Sequence, residues 1–158
     1  MNPNLEKGKR AERAVAKYFR DHGYDADRRV VTGFKVRGRL RADEGDVRGT
    51  PGICIQVKDE TGSGPLIGRH LDDFMAQTAA QAMACGARIP LLVEKRRAYA
   101  DPGRWWAWLP QYAFIALIGG SVPIHAWETY PVRIELRDII DDLVRFSEIY
   151  LASETVAV

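Results

Sequence analysis

The sequence predicts an α/β domain with a mixed central β-sheet flanked by helices, on three observations. Apolar residues recur at helical spacing in well-separated stretches. Short β-rich runs lie between those stretches, bounded by turn residues. The two kinds of segment follow one another as α-β-β-β-α-β-β-α, with a further β piece near 130–135. That alternation is the pattern of a sheet whose faces are covered by helices.

The elements follow in chain order. From Leu5 to Asp21, Ala11, Ala14, Val15, Tyr18 and Phe19 mark one face of a helix, and His22-Gly23 supplies its stop. Tyr24 to Val31 reads as a strand, and Thr32 to Glu44 as a Gly/Arg-rich loop. Asp46-Val47-Arg48, the turn Gly49-Thr50-Pro51-Gly52 and Ile53-Cys54-Ile55-Gln56-Val57-Lys58 together read as a hairpin. After Thr61-Gly62-Ser63-Gly64-Pro65 a helix is expected from His70 to Cys85. Leu71, Phe74, Met75, Thr78, Ala82 and Cys85 lie on one side of it, and Gly86 caps it. The apolar run Ile89 to Val93 reads as a buried strand, and Arg104 to Leu109, with Trp105, Trp106 and Trp108, as a second one. Pro110 to Ile118 reads as a short helix and Leu136 to Leu151 as a longer one.

At 158 residues the chain holds one domain's worth of material, with a core at about 5–118 and a C-terminal helical extension at about 134–152. Hydrophobic residues make up 46% and charged residues 28%, which excludes a disordered chain. Cys54 and Cys85 are too few for a disulfide scaffold or a Cys-rich zinc module and read as free thiols. MNPNLEKGKR lacks the apolar stretch of a secretory signal, and the run Tyr112 to Ile118 is too short to span a bilayer. The expected location is the cytoplasm, with no membrane partner. Residues 1–58 carry 14 Lys and Arg against 8 Asp and Glu, a local balance of +6, whereas 59–158 carry 9 against 13. A charge run of this kind is either a solvated face or the footprint of a polyanion such as nucleic acid.

The hairpin carries the chemistry. Alternate side chains of a strand share a face, so Ile53, Ile55 and Val57 point to a core while Cys54, Gln56 and Lys58 point the other way. The turn sets Asp46 opposite Gln56, with cross-strand Cβ atoms about 5 Å apart. A carboxylate, a carboxamide and an ammonium then converge. The two oxygen donors suit Mg²⁺, and Lys58 suits charge building on a phosphate; phosphodiester hydrolysis needs both. Glu12 lies about 100° round the first helix from Ala11, at the edge of its apolar stripe, while Arg10 and Arg13 face further out. The bland alternative is a half-exposed hairpin whose Asp46 and Lys58 form a surface ion pair worth little.

These motifs carry a resemblance. Gly8-Lys9-Arg10-Ala11-Glu12-Arg13, Gly45-Asp46-Val47 and Gln56-Val57-Lys58 together resemble the PD-(D/E)XK nuclease superfamily, and within it the archaeal-type Holliday junction resolvases and their phage relatives. The likeness covers roughly residues 7–110. It implies a restriction-endonuclease-like fold and a Mg²⁺-dependent endonuclease, Mn²⁺ substituting, that resolves Holliday junctions or other branched DNA in recombination or repair. It further implies a homodimer in a bacterial or phage-infected cell. The catalytic residues it implies are Glu12, Asp46, Gln56 and Lys58. Asp46, Gln56, the Val57 carbonyl and Glu12 would hold the metal. DNA contacts are expected from Arg10, Arg13, Arg28, Arg29, Thr32, Lys35, Arg37, Arg39, Arg41 and Gln77. Gln56 departs from the family's acidic residue and is similar to the Q-x-K form of RecB-like and VRR-NUC nucleases. It brings no charge, which implies weaker Mg²⁺ binding. Two further readings follow from that departure: a flap- or single-strand-cutting nuclease of the same superfamily, and a DNA-binding module on a degenerate nuclease fold.

Overall fold

The structure is a computed structural model and describes residues 3–30, 44–59, 70–121 and 130–156. Helix α1 (Pro3–Asp21) follows its apolar stripe and buries Ala11, Val15, Ala16 and Phe19. The chain beyond it is pinned back onto the helix, because Arg20 Nη1 donates to the Ala26 carbonyl at 2.7 Å. That pinning shortens the strand expected over Tyr24–Val31 to β1, Asp27–Arg28. Tyr24 instead packs its ring against Phe19, centroids 5.2 Å apart, and hydrogen-bonds Ser147 at 3.1 Å. Burial there pushes its phenol up to about 12. Val31 lies outside the described residues.

Strands β2 (Val47–Arg48) and β3 (Ile53–Lys58) form the expected hairpin, antiparallel with Val47 opposite Ile55. Helix α2 (Leu71–Ala84) then crosses to β4 (Ile89–Glu94), which runs parallel to β3 from Ile53 beside Ile89 to Lys58 beside Glu94. Strand β5 (Trp106–Pro110), helix α3 (Gln111–Leu117) and strand β6 (Pro131–Glu135) follow, and α4 (Ile140–Val156) ends the described chain. Among the described residues six strands lie in sequence order, β1-β2-β3-β4-β5-β6, and of these pairs only β3 and β4 are parallel. None of the described helices is long and apolar enough to cross a membrane.

The first helix starts two residues earlier than expected, at Pro3, and the last runs on to Val156 instead of Leu151; three further differences have a local reason. The Asp101 carboxylate accepts from Gly103 N–H at 2.9 Å, so Pro102–Arg104 coil into a 3-10 turn and β5 starts at Trp106 instead of Arg104. Leu136–Asp138 form a second such turn, so the last helix begins at Ile140 and not at Leu136. Cys85 is an exposed cap on α2 and not part of its apolar side, because its N–H bonds the Gln81 carbonyl as the helix ends; Gln81 is buried instead.

The sheet separates two apolar layers. On one face Ile53, Ile55, Val57, Leu91, Val93 and Leu109 pack with α1, α3 and α4. On the other, α2 lays Leu71, Phe74 and Met75 over Leu92 and Trp108. Strands β3 and β4 are therefore covered on both faces, which explains the near-continuous apolar run of β4. Burying one such Leu or Ile contributes roughly 1.5–3 kcal/mol.

The hairpin turn depends on close backbone approach. Gly49 has φ +79, and a Cβ there would lie 1.9 Å from the Asp25 carbonyl oxygen. Gly49→Ala is expected to cost about 2–4 kcal/mol, combining left-handed strain with displacement of the β1 segment. Thermal unfolding measures it, as a drop of several degrees.

Candidate functional site

Strand β2 is only two residues long, and where it leaves β3 the ladder changes hands. Asp46 N–H donates to the Ile55 carbonyl at 2.7 Å, and the Asp46 carboxylate (Oδ2) accepts from Val57 N–H at 2.7 Å. A side-chain oxygen thus takes the place of the next backbone acceptor. The N–H and C=O of one residue in an extended strand point to the same edge. Val57 therefore directs its carbonyl towards the gap that Asp46 fills. Lys58 faces the opposite edge, where its carbonyl accepts from Lys95 N–H at 2.9 Å. The backbone before Asp46 is bent by Gly45, φ +89, whose Cβ would meet the Ile55 carbonyl oxygen at 2.7 Å. A side chain does not fit there.

Regular pairing stops at Val47–Ile55: Asp46 N–H bonds the Ile55 carbonyl and its carboxylate reaches past Gln56 to Val57 N–H, while the Gln56 side chain faces α2. Gln56 is 2% exposed and Thr78 of α2 is 0% exposed. Thr78 Oγ1 lies 2.7 Å from Gln56 Oε1 and 2.7 Å from the Phe74 carbonyl oxygen. A hydroxyl has one proton, and a carbonyl can only accept. Both contacts are satisfied together when the amide is turned, so that Gln56 Nε2 donates to Thr78 and Thr78 donates to Phe74. Placing the O and N of an amide is a matter of its hydrogen bonds. In that orientation Oε1 would point away from Thr78. Thr78→Val removes this bridge and leaves a buried amide short of a partner, at an expected cost of about 1–3 kcal/mol. Thr78→Ser retains the hydroxyl and is expected to cost less; urea unfolding of the pair separates them.

Lys58, the last residue of β3, extends its ammonium over the Phe74 ring, 4.6 Å from the centroid. Its register partner on β4 is Glu94, a residue that the sequence reading did not single out. Glu94 is 4% exposed and accepts from Trp108 Nε1 at 2.8 Å. It places a buried carboxylate one strand away from Lys58. The available signal was an acid ending the apolar run Ile89–Val93; which strand it neighbours depends on the parallel register.

Glu12 is engaged by Arg28. Arg28 is the register partner of Val47, so it faces α1, and its Nε donates to Glu12 Oε2 at 2.5 Å. Two residues singled out separately, one for metal and one for DNA, are thus partners of each other. Glu12 lies on the α1 side of the sheet, while Gln56 and Lys58 lie on the α2 side. Arg29 is paired in the same way with Glu44. Arg10, Arg13 and Gln77 are exposed. Thr32, Lys35, Arg37, Arg39 and Arg41 fall outside the described residues. Trp105 and Trp108 are 2% and 4% exposed and belong to the core.

The donor chemistry at the hairpin is all oxygen: the Asp46 carboxylate, the Val57 carbonyl and, once its amide is turned from Thr78, Gln56. That set fits a hard divalent cation, with one formal charge to hold it. Among the described residues no three His, Cys, Asp or Glu side chains converge on a single point. Comparison with protein-family models, with curated proteins and with solved structures returned no match for this chain.

Proposed function

We propose that the chain is a metal-dependent DNA endonuclease on a restriction-endonuclease-like fold, acting on branched DNA such as Holliday junctions. One observation carries the reading. The Asp46 carboxylate accepts from Val57 N–H, which puts it beside Gln56, with Lys58 one residue further along the strand.

Asp46, the Val57 carbonyl and Gln56 hold the ion in this reading. A bound Mg²⁺ or Mn²⁺ supplies polarisation of the phosphate and hydroxide at neutral pH. Lys58 offers its ammonium to the charge that builds on the phosphate oxygens, and the neighbouring Glu94 provides a counter-charge. Thr78 fixes which end of the Gln56 amide faces the ion. Two cuts across a junction call for two sites, which a C2 homodimer supplies.

A second reading is a DNA-binding module without activity, favoured by the commitment of Glu12 to Arg28. Incubation of labelled four-way junction, flap and linear duplex with Mg²⁺, Mn²⁺ or EDTA separates the two. Paired metal-dependent cuts in the junction, lost in Lys58→Ala, are the expected result. Cuts confined to flaps or single strands would move the substrate and keep the site. Binding in EDTA with no cut under either metal would leave the module.

A further inference from the structure

Beside the candidate site, at the start of the turn joining β4 to β5, lies a cleft of about 400 Å³. Lys7, Asp59, Lys95, Arg96, Arg97 and Tyr99 are among the residues lining it, four cations against one acid. None of these six is among the residues expected from the sequence to contact DNA. The acid is not presented to the cleft as free charge. The Asp59 side chain is 6% exposed and lies beneath two ammoniums, Lys95 at 2.8 Å and Lys7 at 3.6 Å. Asp59 thus fixes a pair of lysines from two distant parts of the chain side by side.

One wall of the cleft is held by an alternating stack of guanidinium groups and rings. Arg104 lies 4.1 Å from the centre of the Tyr99 ring, and Arg96 lies 4.3 Å from the same ring and 4.0 Å from Trp106. Arg133 covers Trp106 from 4.5 Å. Arg96 is also tied to Glu135 at 2.6 Å and to the Arg104 carbonyl at 2.9 Å. Such stacked, hydrogen-bonded arginines serve the wall and not a ligand. Arg97 differs: it is exposed and makes no ion pair among the described residues. The next residue, Ala98, has φ +66, a left-handed conformation rare for a residue with a Cβ. Strain of this kind concentrates at functional positions.

We infer that this cleft is a phosphodiester-binding subsite, which holds the DNA backbone next to the phosphate at Lys58. Lys95 N–H is bonded to the Lys58 carbonyl, so the cleft opens at the end of β3, with Lys7 and Lys95 on the α1 side of that end and the Lys58 ammonium on the α2 side. Lys7 comes from the first turns of α1. Backbone contacts of this sort position a strand without reading its sequence. The inference rests on the nuclease reading for the identity of the strand, not for the cleft's charge.

The test is fluorescence anisotropy of the full chain with labelled four-way junction and linear duplex, in EDTA, across a KCl series. Arg97→Glu and Lys7→Gln probe the cleft, and Arg145→Glu on α4 is the control. Each cleft variant is expected to bind about 10-fold more weakly at 0.1 M salt and to lose about one from the log–log salt slope. The control is expected to match wild type. Thermal melting of each variant confirms an intact fold. Cleft variants that bind like wild type, with unchanged slope, overturn the subsite even if the protein cuts DNA. Weakened variants of a protein that never cuts with Mg²⁺ or Mn²⁺ keep the subsite and remove the nuclease reading. A wild-type chain that binds neither DNA overturns both.

Discussion

Replacing Asp46 by Asn is expected to slow metal-dependent DNA cleavage by at least about 10³-fold, equivalent to about 4 kcal/mol of transition-state stabilisation. Fold and DNA binding in EDTA are expected to change little. The separation follows from the two tasks of the carboxylate. One is structural: Oδ2 accepts from Val57 N–H and closes the ladder where β2 leaves. The amide oxygen of Asn performs that task, so the hairpin end persists. The other task is electrostatic, because Asp46 supplies the formal negative charge of the oxygen set at the gap. Asn removes it. Single-turnover cleavage of a labelled junction with Mn²⁺, beside thermal melting of the same preparations, reads both. Equal cleavage rates for variant and wild type would take Asp46 out of the site. A collapse of the melting temperature would mean that its structural task dominates.

The hairpin was legible in the sequence because its signals are local. Gly49-Thr50-Pro51-Gly52 forces the reversal, and the alternation of Ile53, Ile55 and Val57 with Cys54, Gln56 and Lys58 fixes which residues share a face. Helix α1 was legible for the same reason, its apolar stripe being continuous from Ala11 to Phe19. What escaped was set at long range. Glu94 becomes a neighbour of Lys58 only through the parallel pairing that the α2 crossover permits. Thr78 was expected to face the core, but its grip on Gln56 joins residues 22 positions apart on different elements. Glu12 and Arg28 were assigned separate duties because no sequence pattern says that β1 turns Arg28 towards α1. The shortening of β1 has the same origin. Arg20 draws the Ala26 carbonyl onto the helix, a tertiary contact that overrides the β propensity of the segment.

Gln56 is the residue by which the hairpin departs from an acidic pair. Gln56→Glu places a second carboxylate beside Asp46, in a position 2% exposed. Without metal, the Thr78 hydroxyl is the donor that faces it from α2, and two like charges share one end of the hairpin. The expected cost in EDTA is about 2–3 kcal/mol, or roughly 4–12 °C in melting temperature for a chain of this size. With Mn²⁺ the sign changes. Two carboxylates and the Val57 carbonyl make a better hard-cation site than one carboxylate with neutral oxygens, and affinity is expected to rise about 10–100-fold. Binding to the folded state alone then returns the lost stability by mass action. Gln56→Met, of similar volume and without a donor oxygen, supplies the comparison: its melting temperature is expected to be the same in EDTA and in Mn²⁺. A Gln56→Glu protein that melts as low in Mn²⁺ as in EDTA would show that position 56 does not face the ion. Thr78 would then hold Gln56 as packing, and the oxygen set would shrink to Asp46 and Val57, too little to retain a divalent ion by itself.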